Sequence, residues 1–386
     1  VTDPPLSPIA FFAHERGDAR VIKRITALQN QGREVIGFTF HRVRDKPDAA
    51  PTWENVHLGT TYNRRYFQRL WVFATCVGVL WVNRSRLRAC GVIYVVNTDN
   101  ATLALLGRFF AGRAIPVVLE LADIQPAMTG AGLVSRILRR IERFVLARSE
   151  LLVTTSPGFV REYFHPVQHH AGEIFLLENK VYPSGRLPAA VVRDGGPAAC
   201  GRPWVVGCFG ALRCRRSLEL MHSLAERLGD RIRIELRGYP SGTLVEDFEM
   251  LLGSLPNYQF KGAYQYPDEL AQIYGSVDFN WTFDESDPGG NSAWLLPNRI
   301  YEGGCFGVPA LGGSATETGR WIQQQGQGWT FQEPLEENLI GFFEALEVSE
   351  WEKVRQACLA HPRSEFTGEA DYLRLSERLT ALEKRL

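Results

Sequence analysis

The sequence predicts an α/β protein of two doubly wound, Rossmann-like parallel sheets followed by a helical tail. Three observations carry the prediction. Short apolar, β-branched runs alternate with helical stretches of roughly 10–15 residues. That alternation lapses once, between Pro183 and Pro203, a stretch with four Pro and four Gly, and then restarts. The length, 386 residues with 45% hydrophobic, is that of two domains at ~150 residues each, enough for two cores without disulfide or metal support.

In chain order, Ile9–Ala13 reads as the first strand and ends in the polar loop His14-Glu15-Arg16-Gly17-Asp18. Helical spacing of Val21, Ile22, Ile25 and Leu28 predicts the first helix, stopped at Gly32. Strand-like Glu34–Phe40, a long helix around Tyr62–Leu87, and the run Gly91–Val96 follow. Leu103–Phe110, Pro116–Leu121, a helix over Leu133–Arg148 and Leu151–Thr155 complete the first half. After the linker come Trp204–Phe209, helix Ser217–Leu228, Arg231–Leu236, helix Leu244–Leu252, Tyr258–Lys261, helix Pro267–Tyr274 and Val277–Trp281. Tyr372, Leu375, Leu379 and Leu382 close a helical C-terminal region. The expected domains are residues 1–190 and 203–365, with a helix over 366–386 packing back on the first.

Charge and cysteine content narrow the function. With 43 Lys+Arg against 43 Asp+Glu, the chain is not a nucleic-acid binder held by bulk charge. Seven cysteines stand singly, with no C-x-x-C, so neither a zinc site nor a disulfide framework is indicated and reduced core thiols are expected. The opening VTDPPLSPIAFFAHERGD lacks the basic n-region of a signal peptide. The longest apolar run, Leu70 to Val82, falls short of the ~20 residues that span a bilayer. Two segments nevertheless pair basic with apolar residues. Leu133–Arg148 sets Arg136, Arg139, Arg140 and Arg143 beside Leu133, Ile137, Ile141 and Phe144, and Tyr62–Leu87 sets Arg64, Arg65 and Arg69 before Trp71, Phe73, Leu80 and Trp81. Both patterns suit an anionic membrane surface; a solvated face and a buried core helix are the respective rival readings.

The second half carries the stronger motifs. The strand VVGCFG ends at Gly210, where a backbone without a side chain lets amides face an anion. Ser217 is the expected N-cap of the next helix. Arg213, Arg215 and Arg216 oppose the positive end of that helix and so call for an anionic partner, and planar guanidinium groups match a diphosphate. The G-x-G-x-x-G fingerprint is absent, which argues against a dinucleotide oxidoreductase. Between Asp284 and Leu311, Gly289, Gly290, Asn291 and Ser292 form a loop whose amides can approach a ligand. Pro297 suits the first turn of a helix from Asn298 to Phe306, which puts Asn298 and Glu302 on one face. Glu302 inside an otherwise apolar helix needs a partner, and two vicinal ribose hydroxyls would satisfy it. A neighbouring backbone group or Arg299 is the alternative.

The strand-Gly-x-x-Arg opening, with P-N-R-I-Y-E-G-G-x-x-G-V-P downstream, resembles the donor half of GT-B glycosyltransferases. The nearest group is the family-4-like enzymes of bacterial exopolysaccharide assembly, the succinoglycan type. The N-terminal pattern of Asp18, Arg24, Leu28, Gly32 and Val35 fits the same group more weakly. The resemblance implies two domains facing each other across a cleft. It implies Glu302 on the nucleotide ribose, Arg213 and Arg216 on the diphosphate, Asn298 and Arg299 beside them, and Gly289 to Ser292 along the donor sugar. It further implies a nucleotide-sugar co-substrate with uridine favoured by family habit, a lipid-linked saccharide acceptor, and a cytoplasmic setting at the inner membrane. One departure stands out: the family's E-x7-E pair would put its first Glu at Trp294.

Glycosyl transfer needs charge neutralisation at the leaving diphosphate and, for an inverting enzyme, a base for the acceptor hydroxyl. No Asp-x-Asp is present; Asp247-Phe-Glu249 and Glu285-Ser-Asp287 read as solvated carboxylates, so no metal or other cofactor is expected. Asp123 at the carboxyl end of PVVLEL, Asp18, and His14 are the candidate bases, all at strand ends where open α/β sheets place ligands. Glu120 is expected to face a helix. Two rivals remain at this point: a GT-B UDP-sugar epimerase, and a catalytically silent nucleotide-sugar-binding subunit.

Overall fold

The computed structural model describes residues 6–42, 51–61, 75–182, 187, 203–241, 247–253 and 255–385. The chain forms two units: Val1–Thr155 with Val160–Leu177 and Glu369–Leu386, and Ser156–Phe159 with Glu178–Gly368. The crossing at Leu177 precedes the Pro- and Gly-rich stretch, most of which lies outside the described residues.

The first unit is a seven-stranded parallel sheet: β1 (Ile9–Ala13), β2 (Val35–Arg42), β3 (Glu54–Thr61), β4 (Val92–Val96), β5 (Val117–Leu121), β6 (Leu151–Thr154) and β7 (Ile174–Leu176). Its order is β3-β2-β1-β4-β5-β6-β7, which reverses between β1 and β4. β1, β4 and β5 are buried at every position, as the centre of a sheet covered on both faces requires. The helices that matter here are α1 (Ala19–Asn30), α2 (Thr98–Ala111) and α3 (Leu133–Leu146). β3 was not anticipated: only Val56 and Leu58 turn inward, too short an alternation to stand out. The long helix expected around Tyr62–Leu87 is described only from residue 75, and Asn83 separates residues 75–82 from Arg84–Ala89.

The second unit is a six-stranded parallel sheet: β8 (Trp204–Leu212), β9 (Ile232–Pro240), β10 (Tyr258–Phe260), β11 (Phe279–Trp281), β12 (Ala310–Gly313) and β13 (Gly328–Phe331). Its order, β10-β9-β8-β11-β12-β13, reverses between β8 and β11. Both reversals are topological switch points, where such sheets open a crevice at their carboxyl ends. One core packs Leu218, Met221 and Leu224 of α4 (Arg215–Leu228) against β8 and β9, and another packs Ile300 and Tyr301 of α5 (Asn298–Cys305) against Tyr274 and Phe366. All six described cysteines are free and buried.

The last helix, α6 (Glu369–Glu383), belongs to the first unit, where it packs on α1 and β4. Tyr372, Leu375, Leu379 and Leu382 are fully buried. Its polar anchor is a closed group: Arg24 pairs with Glu120 at 3.0 Å, Tyr94 donates to Glu120, and Arg24 donates to the Tyr372 hydroxyl. Burial pushes the Glu120 carboxyl up, but Arg24 more than reverses this and holds it below the ordinary range. Glu120 thus faces α1, inside the protein.

Removing one member of this pair leaves the other charged and alone in the core. Arg24→Met is expected to cost about 3–5 kcal/mol in urea denaturation, and adding Glu120→Leu to recover most of it. Tyr372→Phe should cost about 1.5–3 kcal/mol, the value of a hydrogen bond to a charged group.

Candidate functional site

At the carboxyl edge of the second sheet, β8 runs past Gly210 to Leu212, beyond the expected strand Trp204–Phe209. Gly210 (φ 105°) lies opposite Gly238 (φ 128°), and a Cβ on Gly238 would collide with the Gly210 carbonyl. The strands therefore close tightly there, while the space beside Gly210 is open as far as the Tyr264 hydroxyl. The cap of α4 is Cys214, not Ser217. Cys214 has the extended backbone of a capping residue, and its sulfur accepts from the Ser217 amide at 3.3 Å and the Glu285 amide at 3.2 Å. Ser217 is already inside the helix and donates to the Phe283 carbonyl at 3.2 Å.

The three arginines at this helix start have the acidic partners their position demands, and the protein supplies them. Arg213 grips Asp284 at 2.6 and 3.1 Å, Arg215 pairs with Asp247, and Arg216 pairs with Glu333 and, at 3.7 Å, Glu285. Asp284 is the most engaged of these acids, for it also accepts from Ser292 Oγ at 3.0 Å and the Ser286 amide at 3.1 Å. Burial raises its pKa, but Arg213 and Ser286 pull harder and bring it to about 2. Glu285 and Asp287 are not the solvated carboxylates expected. Glu285 is mostly buried, and burial raises its pKa against the pull of Arg216. Asp287 binds the Asn291 amide, and its own amide donates to Ser292 Oγ.

Those bonds make Asn291–Trp294 a short helix rather than a loose loop. Ser292 is buried and occupied, Gly290 is packed on Asp287, and Gly289 stands open. The Trp294 carbonyl accepts from Ser156 Oγ.

Pro297 precedes α5 as its N-cap residue instead of lying in the first turn. Asn298 is exposed, whereas Glu302, one turn on, is buried. Glu302 accepts from the Tyr274 hydroxyl at 2.9 Å, and burial together with this carboxylate pushes the Tyr274 phenol well up. Burial and Glu302 likewise raise Tyr264. Arg299 reaches Cys208 Sγ and the Trp281 carbonyl, both at 3.4 Å, and its acidic surroundings keep it charged despite burial. Arg213, Asp284, Arg299 and Cys208 line one narrow recess. Sequence reasoning missed Tyr264, Tyr274 and Asp284. Among the described residues no group of three or more His, Cys, Asp or Glu could hold a metal ion.

At the carboxyl edge of the first sheet, Asp18 caps α1, accepting from the amides of Arg20 and Val21. Its pKa, raised by burial but lowered further by His14 and Arg20, stands at about 2. His14 lies 3.6 Å from Asp18 and 3.5 Å from Asn97 Nδ2, and Asp123 pairs with Arg20 at 2.9 Å. Asn97 was also missed. It follows β4 with φ 70° and ψ 154°, a conformation that ordinarily requires glycine, and such strain gathers at functional sites.

Two sheets with the Rossmann strand order and a buried carboxylate, with arginines, at the second switch point place the chain in the GT-B glycosyltransferase class. Its fold matches sucrose-phosphate synthase from Thermosynechococcus elongatus with a TM-score of 0.73 at 14% identity, covering 98% of this chain and all of that one. It also matches Anabaena HepE, in complex with UDP and glucose, with a TM-score of 0.67 at 14% identity, covering 97% and 100%. No protein-family model matches the chain. The chain belongs to the family of the succinoglycan biosynthesis protein ExoL of Rhizobium meliloti (strain 1021), with 35% identity over 321 residues, 83% of this chain and 80% of ExoL. These likenesses lend no support to the epimerase or the silent-subunit reading.

Because the Asp284 pKa is depressed, its stabilisation is complete above the ordinary carboxylate pKa and is lost as pH falls toward 2. Asp284→Asn is expected to cost about 1–2 kcal/mol at pH 7, allowing for screening of the exposed Arg213, and to flatten the acid limb of stability between about pH 4 and 2. Urea denaturation across that range measures both.

Proposed function

We propose that this glycosyltransferase moves a sugar from a UDP-sugar to a hydroxyl of a lipid-linked saccharide in exopolysaccharide assembly. It works at the cytoplasmic face of the inner membrane and without a metal ion. The observation that carries the reading is Glu302, a carboxylate buried at the second switch point beside the charged Arg299. Two oxygens there can accept two vicinal ribose hydroxyls. Arg213 and Arg216, each nearly half exposed, would exchange a carboxylate oxygen for a phosphate oxygen and carry the charge of the leaving diphosphate. The HepE complex with UDP and glucose supports uridine as the base, and the ExoL kinship supports the exopolysaccharide setting.

For the acceptor hydroxyl, Asp18 is a weak base at a pKa of about 2 and is committed to its cap. His14 and Asp123 are the groups we assign to it, as proton acceptor if the reaction inverts and as hydroxyl ligands if it retains.

Thermal-shift measurements with UDP, GDP, ADP and TDP, with and without EDTA, test the donor site. UDP at 100 times its dissociation constant should stabilise by about 2.7 kcal/mol, unchanged by EDTA and lost in Glu302→Ala. No shift with any nucleotide would overturn the reading. His14→Ala or Asp123→Asn should leave the UDP shift intact, and whichever residue serves as the base should lower kcat by about 10²–10⁴.

A further inference from the structure

The protein covers one face of helix α3 and leaves a separate apolar arc uncovered. At ~100° per residue, Glu142, Val145 and Leu146 form the face turned into the first unit, and they are buried. Leu133, Val134, Ile137, Ile141 and Phe144 fall in a second arc of roughly 100°, and all five are exposed, Val134 to 68% and Phe144 to 51%. The apolar surface continues beyond the helix. Phe144 shares a groove of about 690 Å³ with Phe109 of α2, itself 78% exposed. Phe109 lies 6.0 Å from Phe110, whose ring meets Trp81 edge-on at 5.4 Å. A continuous strip of this kind is unlike the scattered apolar residues of an ordinary surface.

Charge selects the occupant. Residues 75–150 hold ten arginines and five acids, in a chain whose formal charge is zero, and two of those acids, Glu120 and Glu142, are buried. Arg139 and Arg143 donate to backbone carbonyls of the first unit. Arg136 and Arg140 are exposed at the edge of the apolar arc and make no hydrogen bond or ion pair with the described residues. An apolar strip edged by cations matches a surface that is apolar beneath and anionic above.

We propose that α3 lies flat in an anionic phospholipid bilayer, with Ile137, Ile141 and Phe144 at the headgroup–acyl boundary and Arg136 and Arg140 on lipid phosphates. The proposal rests on the membrane-side setting given above and names the surface that meets the membrane.

Flotation of the full chain with vesicles tests it. Vesicles of equal parts phosphatidylcholine and phosphatidylglycerol should bind the protein, and phosphatidylcholine alone should bind at least about tenfold less, the difference shrinking with salt. Ile137→Ser/Phe144→Ser and Arg136→Glu/Arg140→Glu should each lower binding at least about tenfold. Met250→Ser, an exposed apolar change in the second unit, should leave it unchanged. These positions are on the surface, so the variants should melt as the parent does. Equal binding to both vesicle types, or none, overturns the proposal. So does concentration-dependent dimerisation abolished by Ile137→Ser/Phe144→Ser, which would assign the strip to a second copy of the chain. The UDP thermal shift is read separately. Its persistence without vesicle binding removes the docking surface alone, and vesicle binding without it removes the donor reading alone.

Discussion

In the second unit the Asp284 carboxylate ties the end of β8, 71 residues earlier in the chain, to the loop after β11 and to the short helix that follows it. It takes two bonds from Arg213 at the end of β8, one from Ser292 in the segment before α5, and one from the Ser286 amide in its own loop. A single ionised acid thereby sets the distance between the arginine-rich start of α4 and the Gly289–Ser292 segment. It also keeps like charges at a helix start tolerable before any ligand arrives. An incoming diphosphate would meet guanidinium groups already oriented, and binding there is an exchange of one oxyanion for another.

The first unit depends on a different kind of joint. Arg24 and Glu120 are both sealed from water, so neither charge is tolerable without the other, and Tyr94 and Tyr372 occupy hydrogen-bonding positions that would otherwise be empty. This group lies just below the strand ends that carry Asp123 and Asp18. Arg20, one turn before Arg24 on α1, is the link: it reaches the Asp123 carboxylate directly. The rigidity of the core is passed to the edge of the sheet by a single helix face.

Much of this was legible in the sequence, because the signals are local. Alternating runs gave the central strands, since buried parallel strands are apolar throughout. Glu302 stood out because a carboxylate within an apolar helix is costly. What escaped was decided by partners distant in the chain. Tyr274, 28 residues before Glu302, reads as an ordinary aromatic of a helix until the fold brings the two together. Ser217 looked like a cap because serine usually is one, yet the backbone turns into the helix three residues earlier, and the thiol of Cys214 takes the role. The arginine cluster correctly called for anions, but residue type alone does not say whether the protein or a ligand provides them. Asn97 carries a backbone conformation that no residue-type pattern encodes.

The return of α6 to the first unit bears on the order in which the chain can fold. Domains made early on the ribosome commonly fold before later ones exist. Here the first sheet is translated early, while the helix that covers part of it, and the tyrosine that completes the Arg24 group, come only after the whole second unit. Until residue 369 and its successors emerge, β4 and α1 lack the cover of Leu375, Leu379 and Leu382, each of which removes about 1.5–3 kcal/mol worth of apolar surface from water. The nascent first unit is thus an open core during synthesis, and the later-made unit can be finished before the earlier one is closed.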